Sequence, residues 1–225
     1  RWKGLLGTPE LFQENVKNYY RLITGVDDVV GEMMKKLDQM GIAKNTIIIL
    51  MGDNGMFLGE HGMEGKWYGY EESIRVPLFI YDPNLPDKIK QYKAPQIALN
   101  IDIAPTILAM AGVKAPKAMQ GVDLISLLEN KIPERKDFFY QYYFLGGPQL
   151  PREEGVVTKD FKYMNYIEHN YEELFDIKHD PHETDNLAKN QKYKMKLEGL
   201  RIRYKELKDT LGVPPKDSQN RTHSF

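Results

Sequence analysis

The sequence predicts an α/β fold: part of a large mixed or parallel sheet flanked by helices, then a smaller α+β subdomain with an antiparallel sheet and a terminal helix. Three observations predict it. A long helical stripe leads into a strand that is apolar at every position. A second apolar strand follows within about thirty residues. Beyond residue 133 the pattern changes to short strands separated by polar turns, closed by one more amphipathic helix.

Thr8-Pro9-Glu10 reads as a helix entry, with a capping hydroxyl, a proline at the first helical position and an acid near the positive end. Val16, Tyr19, Ile23, Val26, Val30, Met33, Leu37 and Met40 then recur at spacings of three and four until Gly41. Such a stripe predicts a helix packed on a sheet. Asn45-Thr46 leads into Ile47-Ile48-Ile49-Leu50-Met51. The lack of alternation predicts a central parallel strand buried on both faces. Leu78 to Tyr81 is the second strand, and Asp102 to Met110 a short helix ended by Gly112.

After Pro133 comes an aromatic run, Phe138, Phe139, Tyr140, Tyr142, Tyr143 and Phe144, followed by Gly146-Gly147-Pro148. Gly155-Val156-Val157, Lys162-Tyr163-Met164 and Glu173-Leu174-Phe175 read as short antiparallel strands. Tyr193, Leu197, Leu200, Tyr204, Leu207 and Leu211 mark the last helix, ended by Gly212 and Pro214-Pro215. The expected organisation is 1–132 as the α/β part, 133–214 as the α+β subdomain and 215–225 as a disordered tail.

Thirty-one basic residues nearly balance thirty-two acidic ones, for a formal net charge of −1. No global field draws this chain to nucleic acid or an acidic membrane, so any anion is recognised locally. Without cysteine there is no disulfide, thiolate metal site or cysteine nucleophile within these residues. The longest apolar run is too short to span a bilayer.

Ligands of open α/β sheets bind beyond the carboxyl ends of strands. Asp53 and Asn54 stand at that end of the buried strand and offer hard oxygen donors suited to calcium or magnesium. Two ligands do not fill a calcium shell, and Asp-Asn-Gly alone reads first as an ordinary turn. The next stretch adds Glu60, His61, Glu64 and Lys66 to one glycine-punctuated loop. Lys66 offers an ammonium to an anion beside the metal, and His61 a hydrogen bond or a proton. Each, taken singly, is also an ordinary loop residue.

Asp53-Asn54-Gly55, Leu58-Gly59-Glu60-His61-Gly62, Gly65-Lys66 and Tyr70-Glu71-Glu72-Ser73-Ile74-Arg75-Val76-Pro77 together resemble the second signature block of formylglycine-dependent sulfatases, in the alkaline-phosphatase-like superfamily. Asn100-Ile101-Asp102-Ile103-Ala104-Pro105-Thr106, Gly121-Val122-Asp123-Leu124, Glu173-Leu174-Phe175-Asp176 and Asp180 to Leu187 extend the resemblance over nearly the whole chain, as the later half of a family member. The resemblance implies calcium ligation by Asp53 and Asn54 and contact of Lys66 with the sulfate or ester oxygen. It implies catalytic or substrate-binding places for His61 and Glu60 in the same loop. It also implies hydrolysis of an organic sulfate ester, expected to be a sulfated carbohydrate, by a periplasmic or secreted protein.

The family's nucleophile is a formylglycine made from Cys-x-Pro-x-Arg, or from serine in some bacterial members. Neither pattern occurs here, nor does the early Asp-Asp pair of the calcium shell, since Asp27-Asp28 lies within the helical stripe. These elements are expected in an N-terminal half that completes the fold, and the present chain alone is expected to be inactive. Two other readings stay open: a phosphonate or phosphodiester hydrolase of the same superfamily, and a non-catalytic sulfatase-like fragment. The aromatic run 138–144 is a candidate sugar-lining segment as well as ordinary strand packing.

Overall fold

The computed structural model describes residues 2–86, 89, 93–143 and 150–211. Phe144, Gly146-Gly147-Pro148, Gly212, Pro214-Pro215 and the expected tail 215–225 lie outside the described residues. The chain divides into two units, Arg1–Tyr92 and Lys93–Phe225.

In the first unit a short helix α1 (Trp2–Leu5) precedes the long α2 (Pro9–Gln39). Thr8 caps α2 as its sequence predicts, its Oγ1 accepting the Leu11 N–H at 3.3 Å with Pro9 in the first turn. Gly41 reverses the chain at φ 70°, and a single turn at Ala43–Asn45 leads into β1 (Ile48–Met51). Next come β2 (Phe57–Leu58), β3 (Glu64–Gly65), α3 (Glu71–Ile74) and β4 (Leu78–Tyr81). The strands β2 and β3 form a small hairpin, with Phe57 opposite Gly65.

Two expectations differ here. β1 pairs antiparallel with β4, Ile49 opposite Ile80 and Met51 opposite Leu78, and no parallel neighbour is found among the described residues. Its residues are half-buried to exposed rather than enclosed. The stripe of α2 is likewise open, with Ile23, Val26, Met33 and Met40 each about half exposed. An unbroken apolar pattern encodes the demand for cover on both faces. It encodes neither the direction of the neighbouring strand nor where the covering chain comes from.

In the second unit a turn at Asn100–Asp102 starts α4 (Ile103–Met110), followed by α5 (Leu124–Leu128). β5 (Asp137–Tyr142), β6 (Glu153–Thr158), β7 (Lys162–Tyr166) and β8 (Tyr171–Phe175) form one antiparallel sheet in sequence order. The helix α6 (Lys194–Thr210) covers one face of it. Val156, Tyr163 and Leu174 from the sheet meet Leu197, Leu200 and Tyr204 from α6, with Leu187 beside them. Alternation along each strand sends these residues to the same face, so the predicted strands and stripe converge on one core.

Buried charge fixes two positions in this unit. The Asp102 carboxylate is fully buried and accepts four hydrogen bonds: from Leu99 N–H at 2.7 Å, Val122 N–H at 2.9 Å, and the two terminal guanidinium nitrogens of Arg135 at 2.7 and 2.8 Å. Arg135 also donates to the Ile97 carbonyl at 2.9 Å. Gly121 passes so close that a Cβ there would stand 2.0 Å from the Ile101 carbonyl oxygen. The second position is the Lys162–Glu183 pair, 2.7 Å apart with both side chains at 0% exposure.

Arg135→Met would leave Asp102 charged and buried without its counterion. Its unfolding free energy should fall by about 3–5 kcal/mol, read as a lowered urea midpoint. A second expectation concerns acid. Burial pushes the Glu172 carboxyl up, but hydrogen bonds from Arg201 and Tyr163 outweigh it, and its pKa lies below the ordinary 4.5. A depressed folded pKa gives stability that is complete above the unfolded value and is lost as pH falls through the folded one. Glu172→Gln should therefore flatten the acid side of the stability curve, measured as urea midpoints between about pH 3 and 6.

Candidate functional site

Backbone hydrogen bonds hold the carboxyl end of β1 in place. Gly52 N–H donates to the Pro77 carbonyl at 3.2 Å, and Gly55 N–H to the Ser73 carbonyl at 2.8 Å. A Cβ on Gly55 would lie 2.0 Å from the Glu72 carbonyl oxygen, so only glycine lets this turn rest on α3. Between the two glycines, Asp53 Oδ1 accepts the Asn54 N–H at 2.9 Å, and Asn54 Nδ2 donates to the Gly55 carbonyl at 2.6 Å. That second bond fixes the amide so that its oxygen is free to accept elsewhere. Lys66 Nζ takes it, donating to Asn54 Oδ1 at 2.6 Å.

Lys66 reaches Asn54 through a loop under backbone constraint. Gly59, His61, Gly62, Gly65 and Trp67 all have positive φ, five residues within nine positions. For His61 (53°) and Trp67 (101°) this region is costly and persists only where surrounding contacts enforce it. Those contacts are present. Trp67 N–H donates to the Ser73 hydroxyl at 3.2 Å, and Ser73 is buried. The His61 ring stacks on Tyr70 at 4.1 Å between centroids, and meets Phe57 edge-on at 6.0 Å. Its Nε2 lies 3.4 Å from Glu72 Oε2, with both side chains mostly buried.

The structure thus brings Asn54 and Lys66 together and sets Asp53 beside them, exposed at the rim. It aims His61 at Glu72 and Tyr70. Glu60 turns back on its own loop, its Oε2 accepting the Leu58 N–H at 2.6 Å. Tyr70, Glu72 and Ser73 hold this loop, yet nothing in their spacing marked them as its partners. The compact run Tyr70 to Pro77 was the only available signal, and it carried no role by itself.

Asp53 and Asn54 supply a carboxylate and an amide oxygen, a donor set that fits calcium or magnesium. Calcium takes six to eight oxygens, and among the described residues no group of three or more His, Asp or Glu side chains is placed to hold a metal. The pair fits a share of such a shell and does not complete one.

A family model for the C-terminal part of N-sulphoglucosamine sulphohydrolase matches residues 59–210. The chain is 37% identical over 211 residues to an N-acetylglucosamine-6-O-sulfatase of Bacteroides thetaiotaomicron, covering 88% of this chain and 37% of that protein. An arylsulfatase of Clostridium perfringens is 33% identical over 207 residues, covering 91% and 42%. A solved structure of a protein in complex with its substrate D-glucosamine-2-N,6-O-disulfate superposes with a TM-score of 0.81 at 32% identity, over 93% of this chain and 43% of that one. The chain therefore spans about two-fifths of the length of the relatives it matches.

Gly55→Ala forces a methyl group into the α3 backbone. It should cost about 1–3 kcal/mol of stability in urea unfolding and shift the Asn54 side-chain amide signals in NMR spectra. Val76→Ala, in the connection from α3 to β4 and outside the contact with Gly55, should leave those amide signals in place.

Proposed function

The chain belongs to the sulfatases of the alkaline-phosphatase-like superfamily as a C-terminal region, and on that premise we propose that the whole protein is a sulfuric ester hydrolase acting on a sulfated carbohydrate. One observation carries the reading: the Lys66 ammonium meets the Asn54 amide oxygen at 2.6 Å, at the carboxyl end of β1. A fixed cation and hard oxygen donors at one point suit an anionic, oxygen-rich group. In our reading Asp53 and Asn54 give two ligands to a calcium ion, which when bound draws charge from the sulfuryl oxygens.

Lys66 then binds a sulfate oxygen or the bridging ester oxygen and stabilises the charge that develops as the alkoxide leaves. His61 and Glu60 support rather than react: the first braces the loop against Tyr70 and Glu72, and the second closes it at Leu58. The nucleophile is assigned to a formylglycine made from a Cys or Ser outside these residues. The similarity to an N-acetylglucosamine-6-O-sulfatase supports a sulfated hexosamine as the substrate class. We assign the protein to the periplasm or the medium, because polymers carrying such sugars do not cross a membrane unaided.

A phosphonate monoester hydrolase of Agrobacterium radiobacter shares the fold with a TM-score of 0.81 at 25% identity, so the assay separates the two chemistries. The intact protein should hydrolyse 4-nitrophenyl sulfate and N-acetylglucosamine-6-sulfate faster than a phenylphosphonate monoester. The opposite order overturns the reading. Lys66→Ala should lower kcat about 10²–10³-fold, and Asp53→Ala should weaken calcium binding measured by calorimetry. Residues 1–225 on their own should release no sulfate.

A further inference from the structure

Lys66 meets the strand-end turn through a single atom. Its Nζ donates to Asn54 Oδ1 at 2.6 Å, and among the described residues no carboxylate pairs with it. The lysine is half-buried, so its ammonium rests on a neutral acceptor with part of its hydration removed. Nearby carboxylates are engaged elsewhere. Glu60 Oε2 accepts the Leu58 N–H at 2.6 Å, Glu72 Oε2 faces His61 Nε2 at 3.4 Å, and Asp53 Oδ1 accepts the Asn54 N–H at 2.9 Å.

The acceptor has no second orientation to offer. Asn54 Nδ2 donates to the Gly55 carbonyl at 2.6 Å, so turning the amide over would set its oxygen against that carbonyl. The Lys66 contact and the proposed calcium ligation therefore draw on one and the same oxygen. A carbonyl oxygen has two lone pairs and can serve both. A divalent cation and an ammonium on one oxygen nevertheless stand only a few ångströms apart, and like charges at that range repel. Within the turn 52–55 itself, only Asp53 carries a negative charge to offset them.

We propose that Lys66 couples the two ligands of this site: it weakens calcium binding while no anion is present, and an anion bridging the ammonium and the calcium converts that repulsion into mutual reinforcement. The inference rests on the reading of Asp53 and Asn54 as calcium ligands and adds how the occupancy of that site is regulated. A tetrahedral dianion offers separate oxygens to the two cations and places negative charge between them. Coupling of binding free energies is reciprocal, so calcium tightens the anion by the factor with which the anion tightens calcium. The site is thereby weak for calcium or sulfate alone and strong for the two together.

The test is calorimetry of calcium binding to the intact protein, with and without inorganic sulfate. Sulfate should tighten calcium binding by about 5–150-fold, the usual range of coupling between sites. Lys66→Gln keeps a hydrogen-bonding head and removes the charge. It should bind calcium more tightly than the parent when sulfate is absent, and lose most of the tightening that sulfate brings. Lys66→Arg keeps the charge and should behave as the parent does. Lys205→Gln removes an exposed positive charge of α6, outside this contact, and should change neither quantity. Thermal unfolding confirms that each variant is folded. Unchanged or weaker calcium binding by Lys66→Gln overturns the proposal, as does an equal change in Lys205→Gln. Calcium binding by the parent that ignores sulfate overturns it whatever the variants do. A parent that binds no calcium removes the ligand assignment and the coupling together. Coupled binding without hydrolysis of 4-nitrophenyl sulfate leaves the coupling standing and removes the sulfatase reading.

Discussion

Gly55 lies against the carbonyl of Glu72 with no room for a side chain between them, and the candidate site depends on that contact. It seats the strand-end turn on the backbone of α3. The same short helix then holds the lysine loop: Ser73 takes the Trp67 N–H, Tyr70 carries the His61 ring, and Glu72 faces its Nε2. Turn and loop are fixed to one support, so the distance between Asn54 and Lys66 is set by packing rather than by the flexible lysine stem.

The backbone strain in that loop has the same origin. Positive φ at His61 and Trp67 is unfavourable in an isolated chain and is stable only where ring stacking and a buried hydroxyl hold it. Strain held in this way limits the alternative conformations of the loop. On the proposed reading, in which Lys66 meets a developing negative charge, such preorganisation leaves little rearrangement for the reaction itself. In the second unit Asp102 works on the same plan, with two backbone N–H groups and a guanidinium converging on one buried carboxylate to tie 97–102, 122 and 135 together.

Much of this was legible in the residues. The capped start of α2, the β4 boundaries, the three short strands of β6 to β8 and the stripe of α6 all follow from local chemistry and periodicity. Asp53, Asn54 and Lys66 stood out as candidates through the family resemblance, since Asp-Asn-Gly after a strand is also an ordinary turn. The supporting residues did not stand out. Glu72 and Ser73 act through space on residues six to eighteen positions away, and spacing alone does not identify such partners.

By itself the sequence determined the elements, the residue types of the site and the family resemblance, since these reside in short runs and in the order of motifs. Tertiary structure alone decided three things. It paired β1 antiparallel with β4, left the stripe of α2 about half open, and set His61 between Tyr70 and Glu72. Each is a choice of partner, and a chain chooses partners by shape and burial in three dimensions, which a one-dimensional pattern of polarity does not contain.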